Sequence, residues 1–168
     1  MPARQSSLGG SATTRGDLHQ TWTDWLSTFH WDHFATLTFA EPRSEASAKR
    51  AFAKYVRCLC GLTYGGSVGY FCGYEYGTFG RLHLHALMRT STPQPELGPG
   101  GVPCASKALP CGLVWRAWFD SFGRAKVETY DRRRGAAGYV SKYVTKRLAY
   151  YDLDNMVPEA RDLLTGTK

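Results

Sequence analysis

Four segments of the chain carry residue patterns that predict β-strands, and one of them also carries distinctive chemistry. Between positions 81 and 88, leucine, alanine and methionine occupy every second position and share one face of the strand. Two histidines, His83 and His85, fall together on the opposite face. The other three predicted strands span residues 32–40, 67–76 and 124–130.

Four further segments, residues 17–30, 45–60, 112–122 and 135–148, are predicted to be helices. The resulting order α-β-α-β-β-α-β-α predicts an α+β fold, in which helices pack on a central antiparallel sheet. We expect residues 17–150 to form one domain, after a disordered tail at residues 1–16 that is rich in small polar residues. Residues 151–168 are predicted to be a C-terminal tail or the start of a missing region. Residues 90–111 form a Pro- and Gly-rich segment without periodicity, which is typical of a functional or mobile loop.

The two histidines are candidate metal ligands because their imidazoles converge on one spot. Two histidines at this spacing are usually ordinary surface residues, but Glu75 on the preceding strand strengthens the interpretation as a metal site. If the intervening hairpin turn centres on Phe79, Glu75 lies directly across from His83 and shares its face. A slip of one residue would move the carboxylate to the other side of the sheet. Two imidazoles and one carboxylate suit a divalent ion such as Mg²⁺ or Mn²⁺.

The last predicted helix contains the pattern Tyr-Val-x-Lys twice in succession. Residues four apart lie on the same side of a helix, which gives it three stripes. They are apolar (Val140, Val144, Leu148), phenolic (Tyr139, Tyr143) and basic (Lys142, Lys146). A phenol must be activated to attack, and neighbouring ammonium groups favour the phenolate. The alternative is that both tyrosines only pack the helix against the sheet.

Charge supports a nucleic-acid partner. The chain of 168 residues has 21 basic and 14 acidic residues, a net charge of +7, and much of the excess surrounds the tyrosine helix. The predicted DNA contacts are residues 90–111 and the basic residues Arg124, Lys126, Arg132, Arg133 and Arg134. The five cysteines fit no tetrahedral zinc spacing, and we expect them to be reduced. No apolar run approaches the roughly 18 residues of a membrane span, so no membrane partner is expected.

Three motifs in order resemble the HUH endonucleases, specifically the rolling-circle replication initiators of small phages and plasmids. They are the strand from Ala35 to Phe39, the pair His83-Leu84-His85 and the doubled Tyr-x-x-Lys motif. The doubled tyrosine resembles the two-tyrosine, phage gene-A-like branch. The resemblance implies a central antiparallel sheet of about five strands, related to the RRM arrangement.

The resemblance also implies a reaction, the metal-dependent nicking and joining of single-stranded or hairpin origin DNA. Tyr139 or Tyr143 would form a 5′-phosphotyrosine, assisted by Lys142 and Lys146. Glu75, His83 and His85 would hold Mg²⁺ or Mn²⁺. A host replication helicase or polymerase in a prokaryotic cytoplasm would be the protein partner.

Three alternatives remain open at the level of sequence. One is a transposase or relaxase of the same superfamily, which would act on different DNA. A second is a single-strand binder without catalysis, because aromatic and basic residues also suit base stacking and phosphate contact. The third, a structural zinc protein, fits the ligand spacing poorly.

Overall fold

The computed structural model describes residues 15–63, 66–77, 80–91, 107–141 and 149–152. Its helices are α1 (Arg15–Thr28), α2 (Glu45–Cys60), α3 (Cys111–Phe119) and α4 (Ala136–Ser141), with a 3₁₀ turn at Arg132–Arg134. Its strands are β1 (His33–Thr38), β2 (Gly69–Tyr76), β3 (Leu82–Arg89), β4 (Ala125–Thr129) and β5 (Ala149–Asp152). The strands form one antiparallel sheet in the order β4-β1-β3-β2-β5. The predicted α+β fold with a central antiparallel sheet of about five strands is confirmed.

Strand β5 corrects the element order inferred from the patterns. Its residues 149–152 pair with residues 70–73 of β2, although the sequence predicted the end of the domain and a tail there. The predicted helix 135–148 is seen as α4 from Ala136 to Ser141, and residues 142–148 lie outside the described residues. Helix α1 begins at Arg15, two residues earlier than predicted. Most of the predicted tail and loop, residues 1–14, 92–106 and 153–168, also lies outside the described residues.

One face of the sheet is covered by α2 and α3. Leu37 and Leu84 on this face are fully buried against Phe52 and Tyr55 of α2 and Trp118 of α3. Helix α2 presents apolar residues at helical spacing to the sheet, and its first turn is capped by Ser44, whose hydroxyl accepts the backbone N–H of Ser47. This core holds the sheet together, and the histidine pair lies on the other face.

The other face is covered only in part, by α1 and α4. Leu26 of α1 and Val140 of α4 are buried with Phe71 of β2 and Leu87 of β3. The remainder of this face carries polar side chains, and we call it the open face. Within the described residues, no helix is long and apolar enough to cross a membrane.

Candidate active site

Strand register places the histidine pair on the open face at the centre of the sheet. His83 lies across from Thr38 of β1 and Glu75 of β2, which confirms the hairpin register predicted from the sequence. His85 lies across from Thr36. Strand β3 is the middle strand of five, so the backbone that carries both histidines is hydrogen-bonded to a neighbouring strand on each side.

Two threonines of β1 orient the two imidazole rings. The Nδ1 atom of His83 lies 2.9 Å from the Thr38 hydroxyl oxygen, and Nδ1 of His85 lies 3.3 Å from that of Thr36. When Nδ1 carries the proton and donates to threonine, Nε2 keeps the lone pair that binds a metal. Sequence reasoning assigned no role to these threonines. A sequence feature that could have identified them is their spacing, since Thr36 and Thr38 are two residues apart on β1 as the histidines are on β3.

Glu75 is in contact with one of the two histidines. Its Oε2 atom lies 3.5 Å from Nε2 of His85, which is buried, while a third of the Glu75 side chain is exposed. Nε2 of His83 faces the backbone of Gly77. A Cβ added at Gly77 would lie only 2.7 Å from this nitrogen, so position 77 has no room for a side chain unless the ring moves. Imidazole and carboxylate are donor types that Mg²⁺ or Mn²⁺ accepts. In the described ranges, however, no three His, Cys, Asp or Glu side chains are already grouped to hold a metal ion.

Tyr139 stands at the border between the helix-covered part of this face and the open face. Its ring meets the His85 ring edge-on, with 5.1 Å between ring centroids, and the Phe34 ring at 6.1 Å. It remains 41% exposed. A candidate nucleophile therefore lies directly beside a candidate metal ligand, and solvent or substrate can reach it.

The packing of α4 against α1 fixes the position of Tyr139. The Thr23 and Ser141 hydroxyls are hydrogen-bonded at 2.8 Å, and the His19 ring lies 2.9 Å from the carbonyl oxygen of Gly138. A Cβ added at Gly138 would lie 3.4 Å from the Thr23 methyl group, an ordinary contact distance, so Gly138 faces Thr23 directly. With Val140 buried in the core, its neighbour Tyr139 is turned out towards the histidines.

Burial and charge act on the phenols of four other described tyrosines. Burial raises the pKa of Tyr55 and of Tyr130. Partial desolvation, together with the hydrogen-bonded Glu45 carboxylate, raises the pKa of Tyr74 and Tyr76. These phenols resist ionisation. The predicted partners Tyr143, Lys142 and Lys146 lie outside the described residues, so their positions stay predictions.

Two clefts flank the histidine pair. The tyrosine cleft, with a volume of about 310 Å³, is lined by Tyr139, Phe34, Glu128, Asp131 and Arg134 among others. The arginine cleft, of about 670 Å³, is lined by residues that include His83, Thr38, Phe119, Arg81, Arg124 and Gly123. Arg81 and Phe119 had no place in the sequence predictions, because only the fold brings the β2–β3 hairpin and α3 to the same end of β1.

The predicted DNA-contacting residues occupy different environments. Arg124 lines the arginine cleft, as His83 does. Lys126 and Arg134 both form ion pairs with Glu128, at 3.0 and 3.3 Å. The hydrogen bond from Lys126 is the largest cause of a Glu128 pKa below its usual range, and Arg134 adds to it. In the 3₁₀ turn, Arg132 donates to the Ser27 carbonyl oxygen, and Arg133 is exposed while its backbone N–H donates to Asp131.

A comparison against known families covers the part of the chain that carries the three motifs. The model of the replication-associated protein ORF2/G2P family matches residues 32–148, from the start of β1 to the end of the tyrosine motif. The chain belongs to this family. No curated protein and no solved structure matches it significantly. Membership in the ORF2/G2P family is consistent with a role in initiating rolling-circle replication, and hence with a DNA partner.

Proposed function

We propose that this member of the ORF2/G2P family is a two-tyrosine HUH endonuclease, which nicks and rejoins single-stranded origin DNA. The observation that carries the proposal is the contact between the Tyr139 ring and His85, 5.1 Å between centroids, on the open face of the sheet. The family match favours replication over transposition or conjugative transfer.

The proposed reaction is a transesterification at phosphorus. The Tyr139 phenol loses its proton, and its oxygen forms a bond to the scissile phosphorus. The bond from phosphorus to the 3′ oxygen breaks, and this oxygen takes up a proton to become a 3′-hydroxyl. The 5′ end stays on the tyrosine as a phosphodiester, so the strand can later be rejoined by the reverse attack.

The residues of the open face would bind the scissile phosphate and orient it. His83, His85 and Glu75 would hold Mg²⁺ or Mn²⁺, with the histidine rings oriented by Thr38 and Thr36. A bound divalent ion would supply positive charge to the phosphate oxygens as negative charge develops there.

The doubled motif gives the second tyrosine a distinct task. Tyr143 follows Tyr139 by four residues, and Lys142 and Lys146 follow the tyrosines by three each. With two tyrosines, one can remain joined to the 5′ end while the other attacks in the next round. The lysines would neutralise phosphate charge beside the attacking phenol.

A covalent-adduct gel tests this function. The protein is mixed with a library of single-stranded oligonucleotides, with Mn²⁺ or with EDTA, and run under denaturing conditions. We expect a metal-dependent shift that disappears in the double variant Tyr139→Phe/Tyr143→Phe, while the single variants rank the two tyrosines. Tyr76→Phe is the matched control, because Tyr76 is exposed and its hydroxyl donates to Glu45 of α2, away from the open face. Binding of DNA without any adduct would contradict the proposal and favour a non-catalytic single-strand binder.

A further inference from the structure

We infer that the arginine cleft is the subsite for the nucleotide on the 5′ side of the cut, the one that leaves with the free 3′-hydroxyl. The inference rests on the proposed nicking function and adds to it an assignment of strand direction. Phe119, Arg81 and Arg124 are the residues that would bind this nucleotide.

The charge of the arginine cleft suits a phosphodiester. Arg81 and Arg124 are both exposed, and the described residues that line the cleft include no carboxylate. The tyrosine cleft, in contrast, is lined by the carboxylates of Glu128 and Asp131. Guanidinium groups bind phosphate with matched hydrogen bonds, so a flanking phosphate is favoured on the arginine side.

Phe119 offers an aromatic surface for a base in the same cleft. Its side chain is 49% exposed, yet its ring is stacked on Trp115 with 4.5 Å between centroids. Trp115 is itself fixed, because its indole N–H donates to the Ala125 carbonyl oxygen at 3.0 Å. A supported, half-exposed ring in a cleft that two arginines also line is an arrangement on which an unpaired base stacks.

The shape of the cleft brings the nucleotide close to the histidines. A volume of about 670 Å³ is in the usual range of small-ligand sites. One wall is bare backbone at Gly123, where φ is +141° and an added Cβ would lie 2.4 Å from the Ala40 nitrogen. His83 and Thr38 also line this cleft, so it is continuous with the histidine pair.

The geometry of attack gives the direction of the strand. Tyr139 contacts His85, whereas the arginine cleft opens beside His83. The two histidines are two residues apart on β3, which separates their backbone positions by about 6.6 Å. In a displacement at phosphorus, the attacking and leaving oxygens stand roughly in line on opposite sides. For a phosphate over the two histidines that is attacked by Tyr139, the leaving 3′ oxygen points away from Tyr139. The nucleotide that carries this oxygen therefore enters the arginine cleft.

The test uses the full chain and the oligonucleotide recovered from the adduct gel, divided at the nick. Dissociation constants are measured by fluorescence anisotropy for the upstream half, which ends in a 3′-hydroxyl, and for the downstream half, which begins with a 5′-phosphate. We expect Phe119→Ala to weaken binding of the upstream half about 5- to 100-fold and to leave the downstream half unchanged. Arg81→Ala and Arg124→Ala should each weaken the upstream half and reduce its salt dependence.

Matched controls separate the cleft from general effects. Leu113→Ala removes another exposed apolar side chain of α3, and Arg57→Ala removes the same charge from an exposed position on α2. Both should leave binding unchanged. Phe119→Leu keeps an apolar side chain and removes the aromatic ring, so it should also weaken the upstream half. A loss confined to the downstream half, or an equal loss in the controls, would overturn the inference.

A separate measurement keeps the inference distinct from the nicking function. If no oligonucleotide forms an adduct, the nicking function fails, but binding of a labelled oligothymidylate still tests the cleft. Weaker binding by the Phe119 and arginine variants than by the controls would support a nucleotide subsite. Equal binding by all of these variants would overturn it.

Discussion

The two faces of strand β1 show how one short segment serves two purposes. Leu37 is fully buried against the core formed with α2 and α3, and its neighbour Thr38 holds the ring of His83 on the open face. The same division occurs on β3, where Leu84 follows His83. Side chains that alternate along a strand thus place a core residue and a candidate site residue at adjacent positions of the chain.

The largest effect should come from the packed face. Leu37→Ala removes a fully buried side chain and leaves a cavity, so we expect the free energy of unfolding to fall by about 2–5 kcal/mol. Urea denaturation followed by tryptophan fluorescence measures this loss. The adduct formed per folded molecule should stay unchanged, because Leu37 points away from the histidines. If the Leu37→Ala variant were fully folded and still formed much less adduct, the two faces would be coupled.

The neighbouring residue should give the opposite result. Thr38→Ala removes the hydroxyl that holds Nδ1 of His83, and we expect nicking or metal affinity to fall about 10- to 100-fold. Its unfolding free energy should change by only about 1 kcal/mol, since Thr38 lies on the open face. Adduct rates and metal titration provide the measurement, with Leu37→Ala as the reciprocal control. A loss of stability as large as that of Leu37→Ala would refute the division between the faces.

The smallest effect concerns a polar residue on the packed side of β1. His33 is buried, and this burial lowers its pKa from 6.5, although the Asp32 carboxylate acts in the opposite sense. Below pH 6.5 the unfolded chain therefore gains a proton that the folded chain does not. Its contribution to stability is present above pH 6.5 and declines as the pH falls towards the lowered value.

Urea unfolding at a series of pH values checks this expectation. Wild type should lose more stability between pH 7.5 and pH 5.5 than His33→Gln, which retains a group able to bond the Thr90 hydroxyl. Because both proteins share all other titratable groups, the difference isolates His33. Parallel pH profiles would show that the burial of this ring has no such consequence.

Local patterns predicted much of the fold because alternation and turn position are local properties. The face of His83 and its register with Glu75 followed from a period of two and a single hairpin turn. Strand β5 could not be predicted in this way, since four residues carry little pattern and their partner β2 lies far away in the sequence. The contact between Tyr139 and His85 depends on how α4 packs on α1, through Thr23 and Ser141. No spacing in the sequence contains that information.

Gly123 sets a limit on how the proposed nucleotide subsite can be re-engineered. Its Cα lies so close to the end of β1 that a methyl group would meet the backbone at Ala40 and Thr38. One wall of the arginine cleft therefore cannot be varied by changing a side chain, in the laboratory or by natural drift. A library aimed at altered nucleotide preference should leave position 123 constant and randomise positions 81, 119 and 124, where the side chains are exposed.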